Sequence, residues 1–276
     1  MWSRVFRPIS VAPRILMRMA SSTGSGKLAG KVAIVTASTE GIGFAVARRL
    51  GQDGARVMVS SRKQANVDAA VKQLQSENLN VAGVTCHVGK PADRAKLIQE
   101  TVKTFGGIDI LVSNAAINPI FGPIMETTPE AWDKIFEVNV KSTFFLCKEA
   151  LPYIKEKGKG SIVLISSVAG YVPFNLLGAY SVSKTSLLGL SKAMVPELAA
   201  DNIRINVVCP GLIKTKFSEA LWKSDAALDK ALEGIPLRRI GETEDCSGIV
   251  AFLASDDSSY LTGESVVVTG GMTARL

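Results

Sequence analysis

From Lys31 onward, short β-branched apolar runs alternate with longer stretches whose apolar residues recur at helical spacing. The runs predict strands at Val32–Thr36, Arg56–Ser60, Val81–His87, Ile108–Ser113, Ser161–Ser166, Arg204–Cys209 and Ser265–Thr269. Between them the periodicity predicts helices at Ile42–Asp53, Gln64–Glu77, Pro91–Phe105, Pro129–Lys155, Tyr180–Ala200 and Glu244–Ala254. Continuous apolar runs such as Val32-Ala33-Ile34-Val35 suit strands covered on both faces, as in a parallel sheet. Strand–helix alternation with right-handed crossovers implies an α/β fold, a single Rossmann-type doubly wound domain. No repeat or long linker divides it, so residues 27–276 read as one catalytic-size domain.

Composition narrows the classes. With 47% hydrophobic residues in 276, the chain can bury a full core. No stretch approaches 18 uninterrupted apolar residues, so no membrane span is expected. Cys86, Cys147, Cys209 and Cys246 are scattered without a C-x-x-C pair, which excludes a disulfide scaffold and a zinc finger. With His87 alone, a multi-histidine metal site cannot be built, and no metal is expected. The net charge of +7 has a local origin: no acid precedes Glu40, while Arg4, Arg7, Arg14, Arg18, Lys27 and Lys31 do. Removing those six from the 32 bases leaves 26 against 25 acids. The body is nearly neutral, and nucleic-acid binding is not expected.

Residues 1–26 read as a basic leader, Arg-rich and acid-free like a mitochondrial transit peptide, although Pro8 and Pro13 interrupt any amphipathic helix. Met17 and Met19 would serve as internal starts that drop most of this charge. At the other end, Ala274-Arg275-Leu276 differs from the peroxisomal Ser-Lys-Leu address by like-for-like swaps. It points to a peroxisomal import receptor as partner, with the mitochondrion as a second destination.

Chemistry first shows after the first strand. Thr36-Ala37-Ser38-Thr39-Glu40-Gly41-Ile42-Gly43 offers small residues where a backbone must turn tightly and meet a pyrophosphate at a helix N-terminus. An acid about 20 residues on would bind a ribose 2′-hydroxyl. The second strand ends instead in Ser61-Arg62-Lys63, which suits a 2′-phosphate and predicts NADP(H) over NAD(H). Farther along, Tyr180 and Lys184 stand at i, i+4 on one helix face, 13 positions after the strand-end Ser167. An ammonium about 5 Å from a phenol stabilises phenolate by roughly 3 kcal/mol at an effective dielectric near 20. That predicts a tyrosine pKa lowered from about 10 toward 8, suited to acid–base work.

With these motifs in place, the chain resembles the short-chain dehydrogenase/reductase family over about residues 28–276. Thr36–Gly43, Ser113-Asn114-Ala115-Ala116, Asn139, Ser167, Tyr180 with Lys184, and Pro210-Gly211 carry the resemblance. It implies a seven-stranded parallel sheet and a catalytic tetrad of Asn139, Ser167, Tyr180 and Lys184. Tyr180 would protonate a carbonyl oxygen that Ser167 positions. Lys184 would depress the tyrosine pKa and hold the nicotinamide ribose, and Asn139 would support a relay water. Ile213 and Thr215 would meet the nicotinamide carboxamide. The implied cofactor contacts further include Thr36, Ser38, Thr39, Gly41, Ile42, Gly43, Ser61, Arg62, Lys63, Val88, Asn114, Ala115, Pro210 and Gly211.

In its departures from the general pattern the chain resembles a subgroup of peroxisomal NADPH-dependent carbonyl and retinal reductases. Ala37 replaces the usual first glycine, Ser113 an asparagine, Ala116 a glycine and His87 an aspartate that commonly meets the adenine amino group. His87 is either a cofactor contact or a plain strand-end residue. Residues 215–239 would form a substrate lid, and Tyr171, Val172, Phe174, Leu176 and Leu177 an apolar pocket for lipophilic aldehydes, ketones or dicarbonyls. Apolar residues beyond one stripe on two long helices, among them Phe144, Phe145, Leu187, Leu188, Leu190 and Met194, point with the resemblance to a homotetramer. The alternatives are a 3-oxoacyl or enoyl thioester reductase, with Lys216, Lys223, Arg238 and Arg239 meeting an anionic carrier, and a catalytically silent nucleotide-binding scaffold.

Overall fold

The computed structural model describes residues 26–272; the leader before Gly26 and the tripeptide Ala274-Arg275-Leu276 lie outside the described residues. Seven strands form one sheet: β1 (Val32–Val35), β2 (Arg56–Ser61), β3 (Val81–Thr85), β4 (Ile110–Ser113), β5 (Gly160–Ile165), β6 (Ile203–Pro210) and β7 (Ser265–Val268). Their order is β3-β2-β1-β4-β5-β6-β7, and every pair is parallel. The strand order reverses between β1 and β4, which opens a crevice at their carboxyl ends.

Alternation within the strands builds a core on each face. Val32 and Ile34 pack into one cluster with Met58, Leu111, Ile162 and Leu164. Ala33 and Val35 pack into the other with Val57, Val59, Val112 and Val163. The central strands are apolar at consecutive positions because both faces are covered. The covering helices are α1 (Gly41–Gln52), α2 (Gln64–Ser76), α3 (Pro91–Phe105), α4 (Pro129–Phe136), α5 (Ser142–Lys155), α6 (Gly178–Ala200), α7 (Asp225–Glu233) and α8 (Thr243–Ala254).

Side-chain bonds explain where the elements depart from the sequence pattern. β3 stops at Thr85, short of His87, whose N–H donates to the Asp93 carboxylate at 2.9 Å. β4 begins at Ile110 because the Asp109 carboxylate accepts from Val32 N at 2.9 Å. The helix expected over Pro129–Lys155 is split by a π-helical turn at Glu137–Lys141, which holds Asn139. Such turns insert a residue into the helical ladder and recur at functional sites. Within the lid region, a 3-10 turn at Lys216–Leu221 and α7 were not predicted.

Candidate active site

The glycine turn after β1 is held by side chains that point inward. The Thr36 hydroxyl accepts from Asn114 N at 3.0 Å and Ala115 N at 3.1 Å. The Asn114 amide donates to Thr36 O and Ala37 O, both at 3.0 Å. Ser38 donates to Val35 O at 2.6 Å and accepts from Ser60 N at 3.0 Å. The side chains of Thr36, Ser38 and Asn114 tie the turn to β2 and β4. Gly43 allows this closeness, since a Cβ there would lie 2.4 Å from Ala37 O and 2.5 Å from Asn114 Nδ2. Ala37 adopts φ 49, a left-handed conformation that favours glycine.

The residues at this edge fit a dinucleotide. α1 starts at Gly41 (φ 59) with no side-chain cap, which leaves its first N–H groups to meet an anion. Gly41 and Ile42 are half-buried, as is Thr39. Ser61 ends β2 and Arg62 and Lys63 follow it, both exposed and in no ion pair among the described residues. Beyond β3, the His87 ring accepts from Gly89 N through Nδ1 at 3.2 Å, which places a neutral ring's proton on Nε2. Val88 is buried, and its carbonyl accepts from the buried Arg94, itself paired with Glu149 at 2.7 Å. This clamp, which the sequence reading missed, fixes the loop after β3.

Ser167, Tyr180 and Lys184 converge beyond the carboxyl end of β5. Ser167 caps the short turn Val168–Gly170, accepting from Ala169 N at 3.1 Å, and its side chain is near enough to the Tyr180 hydroxyl to favour the phenolate. Lys184 Nζ donates to Ile165 O at 2.8 Å and lies 5.6 Å from the Tyr180 ring centroid. Tyr180 is 8% exposed and Lys184 2%. Burial therefore dominates both: the phenol is pushed up to about 12, partly opposed by the Ser167 hydrogen bond, and the ammonium down to about 8. The expected fall of the tyrosine toward 8 is thus reversed in sign, because desolvation penalises a buried phenolate and a buried ammonium alike.

Asn139 is 1% exposed, and its amide is fully used. Oδ1 accepts from Ile117 N at 2.8 Å, while Nδ2 donates to Ile117 O and to the Ser183 hydroxyl, each at 3.0 Å. Ser183 in turn donates to Tyr180 O at 2.6 Å. Side chains thus link the π-turn to the first turn of α6, and a water at Asn139 would have to use its backbone carbonyl, which already accepts from Thr143 at 3.0 Å. Ser183 and Ile117 were not anticipated, since their partners lie 44 and 22 positions away.

Pro210, Gly211, Ile213 and Thr215 lead from β6 into the lid. Ile213 is buried and forms a bridge to Gly241. Thr215 and Ser218 form a reciprocal cap for the turn Lys216–Leu221, and Trp222 Nε1 donates to Ser218 at 3.0 Å. Phe217 lies over Tyr180 with ring centroids 5.7 Å apart. Phe121, Ile124, Met125, Tyr171, Val172, Phe174 and Leu176 are exposed, and Leu177 half-buried. The loops carrying them meet at Gly122 and Leu177. The four cysteines are free and buried, with thiols pushed up to between about 11 and 12.

The turn and the tyrosine flank the crevice where the strand order reverses, the placement of a nicotinamide-dependent oxidoreductase. The family described as "Enoyl-(Acyl carrier protein) reductase" matches residues 36–273. "Dehydrogenase/reductase SDR family member 4" of Oryctolagus cuniculus is 55% identical over 94% of this chain and 100% of its own length. The Homo sapiens protein of that name is 56% identical over 94% of each chain, and human "Dehydrogenase/reductase SDR family member 2, mitochondrial" 50% identical over 94% and 93%. A solved structure designated a short-chain alcohol dehydrogenase, from Sinorhizobium meliloti 1021, superposes with TM-score 0.85 at 30% identity, covering 90% of this chain and 98% of the other. The chain belongs to the short-chain dehydrogenase/reductase family and is an oxidoreductase.

Proposed function

We propose that this chain is an NADPH-dependent reductase of lipophilic aldehydes and ketones, with retinal, aromatic ketones and dicarbonyls as substrate classes. The buried Tyr180 and Lys184, with the half-buried Ser167 beneath an apolar rim, carry the reading. When bound, the reduced nicotinamide supplies a hydride to the carbonyl carbon. The Ser167 hydroxyl, at the end of β5 and close to Tyr180, donates to the carbonyl oxygen and orients it. Tyr180 donates its proton to the same oxygen; at about 12 it enters the reaction protonated throughout the physiological range. Lys184, near 8, holds a proton at neutral pH and stabilises the phenolate that results. Asn139 holds the π-turn and, through Ser183, the backbone of Tyr180.

Arg62 and Lys63, unpaired with any described acid, support NADP(H), with Arg62 on the 2′-phosphate. The apolar side chains left exposed on α4, α5 and α6, Trp132, Phe144 and Val182, support a homotetramer. Residues 27–276 are proposed as the catalytic domain and 1–26 as a targeting leader. Ala274-Arg275-Leu276 supports the peroxisome as the main location, and the leader supports the mitochondrion. The family description that matched favours a thioester reductase as the second reading. Against it, Lys216, Lys223 and Arg239 are already paired with Glu40, Glu219 and Asp245.

The test is oxidation of NADPH and NADH by purified protein with aryl ketones, dicarbonyls, retinal and a 3-oxoacyl thioester, beside Tyr180→Phe and Arg62→Ala. The expected result is NADPH-dependent turnover of lipophilic carbonyls, lost in Tyr180→Phe, with a KM for NADPH raised about tenfold or more in Arg62→Ala. Turnover confined to the thioester would establish the second reading. Folded protein that binds NADPH but turns over nothing would be a scaffold.

A further inference from the structure

Helix α1 begins behind an acid. Glu40 occupies its N-cap with extended backbone (φ −159, ψ 169), and its side chain makes no capping hydrogen bond. The positive end of the helix attracts an anion, but a fixed carboxylate beside it repels one. In this chain the carboxylate is engaged from the lid: Lys216 Nζ donates to Glu40 Oε2 at 2.7 Å, across 176 positions of sequence. The pairing raises the Lys216 pKa, to which Glu219 adds a smaller pull while itself paired with Lys223 at 3.1 Å.

The residues on either side of Lys216 tie the same segment to the rest of the site. A Cβ at Gly41 would lie 3.4 Å from Thr215 Cγ2, so Thr215 roofs the glycine turn. Phe217 covers the Tyr180 ring at 5.7 Å. Three consecutive lid residues therefore meet the turn, its acid and the tyrosine.

We propose that Lys216 is a positioning residue for the phosphate-bearing cofactor and acts through Glu40. With the lid down it neutralises Glu40, and the N-terminus of α1 accepts the phosphates; with the lid raised the bare carboxylate repels them. Retention of the cofactor is thereby coupled to the cover that Phe217 places on Tyr180. The inference rests on the dinucleotide reading above and assigns roles to two residues outside the expected set of contacts.

The signs of the single and double substitutions separate this from a mechanical latch. Dissociation constants are measured by NADPH fluorescence, without substrate, for the wild type, Lys216→Gln, Glu40→Gln and the double variant, with NADH as a second arm. Lys216→Gln should weaken NADPH binding about fivefold at about 0.01 M salt and by less than twofold at about 1 M. NADH, with one phosphate fewer, should respond less. Glu40→Gln should bind at least as tightly as the wild type, and the double variant should regain wild-type affinity. Equal weakening by both single changes would make the pair a latch and overturn the proposal. Loss in Lys216→Gln that persists in the double variant would mean that Lys216 contacts the phosphates directly, which also overturns it, as would no loss at all. Wild-type protein that bound neither dinucleotide would overturn the cofactor reading itself and this inference with it; binding with unshifted variants would overturn this inference alone.

Discussion

Lys184→Met should abolish turnover and make the protein more stable at neutral pH. Lys184 is 2% exposed, and its ammonium donates to Ile165 O at 2.8 Å. No carboxylate is among the groups acting on it, and burial lowers its pKa from 10.5 to about 8. At about 1.4 kcal/mol per pKa unit, holding this ammonium inside costs roughly 3 kcal/mol at pH 7. The sign follows from proton counts. Between 8 and 10.5 the unfolded chain binds more protons at this position than the folded one, so the folded state gains stability as pH rises. Above 10.5 the cost is gone, and below 8 it is fully present. Methionine removes the charge at similar volume but forfeits the bond to Ile165, worth about 1 kcal/mol. The net gain at pH 7 is about 2 kcal/mol, or about 4–8 °C in Tm for a chain of this size. Paired thermal and urea unfolding of wild type and variant, at matched protein concentration from pH 7 to 10.5, reads the difference. It should shrink as the pH rises and change sign near the top of that range, where the burial cost is gone and the wild type keeps its bond to Ile165, worth about 1 kcal/mol. A variant less stable than wild type at pH 7, by an amount independent of pH, would refute the reasoning.

Asn139→Ala should destabilise the fold by about 2 kcal/mol, because the half-buried Ile117 N–H and carbonyl and the buried Ser183 hydroxyl lose their partner; urea unfolding checks it, and a loss below about 1 kcal/mol would show that water replaces the amide. Ala37→Gly relieves φ 49 and should raise stability by up to about 1 kcal/mol, net of the added freedom of the unfolded chain; a clear loss by the same assay would contradict it. All four thiols, pushed up to between about 11 and 12 in buried positions, should resist alkylation at pH 8 in the native protein and react on denaturation, which mass spectrometry resolves site by site.

The Arg94–Glu149 pair has a place in this scheme as well. Arg94 is 4% exposed, yet it serves a loop rather than the core: it holds Val88 O at 2.8 Å while Asp93 holds His87 N. An ion pair so placed contributes geometry more than net stability, since its desolvation offsets much of its attraction. The loop after β3 is thereby fixed by its own side chains.

By itself the sequence determined the parallel α/β architecture and the place of its chemistry. Runs buried on both faces, such as Val32–Val35, have no other home than the inside of a covered sheet. The spacing of Tyr180 and Lys184 puts them on one helix face whatever surrounds them. Every strand end fell within two residues, and the largest offsets, at His87 and Ile108, came where a nearby carboxylate took a backbone N–H. Only the tertiary structure decided the energetics. Local spacing put an ammonium beside a phenol and predicted a lowered tyrosine pKa; burial, a property of the whole fold, raised it to about 12 and lowered the lysine to about 8. It also turned Ser38 inward to meet Ser60 N, broke a long helix at Asn139, whose side chain holds Ile117, and brought Lys216 to Glu40 across 176 positions. Each of these rests on a partner distant in the chain, and periodicity sees only near neighbours.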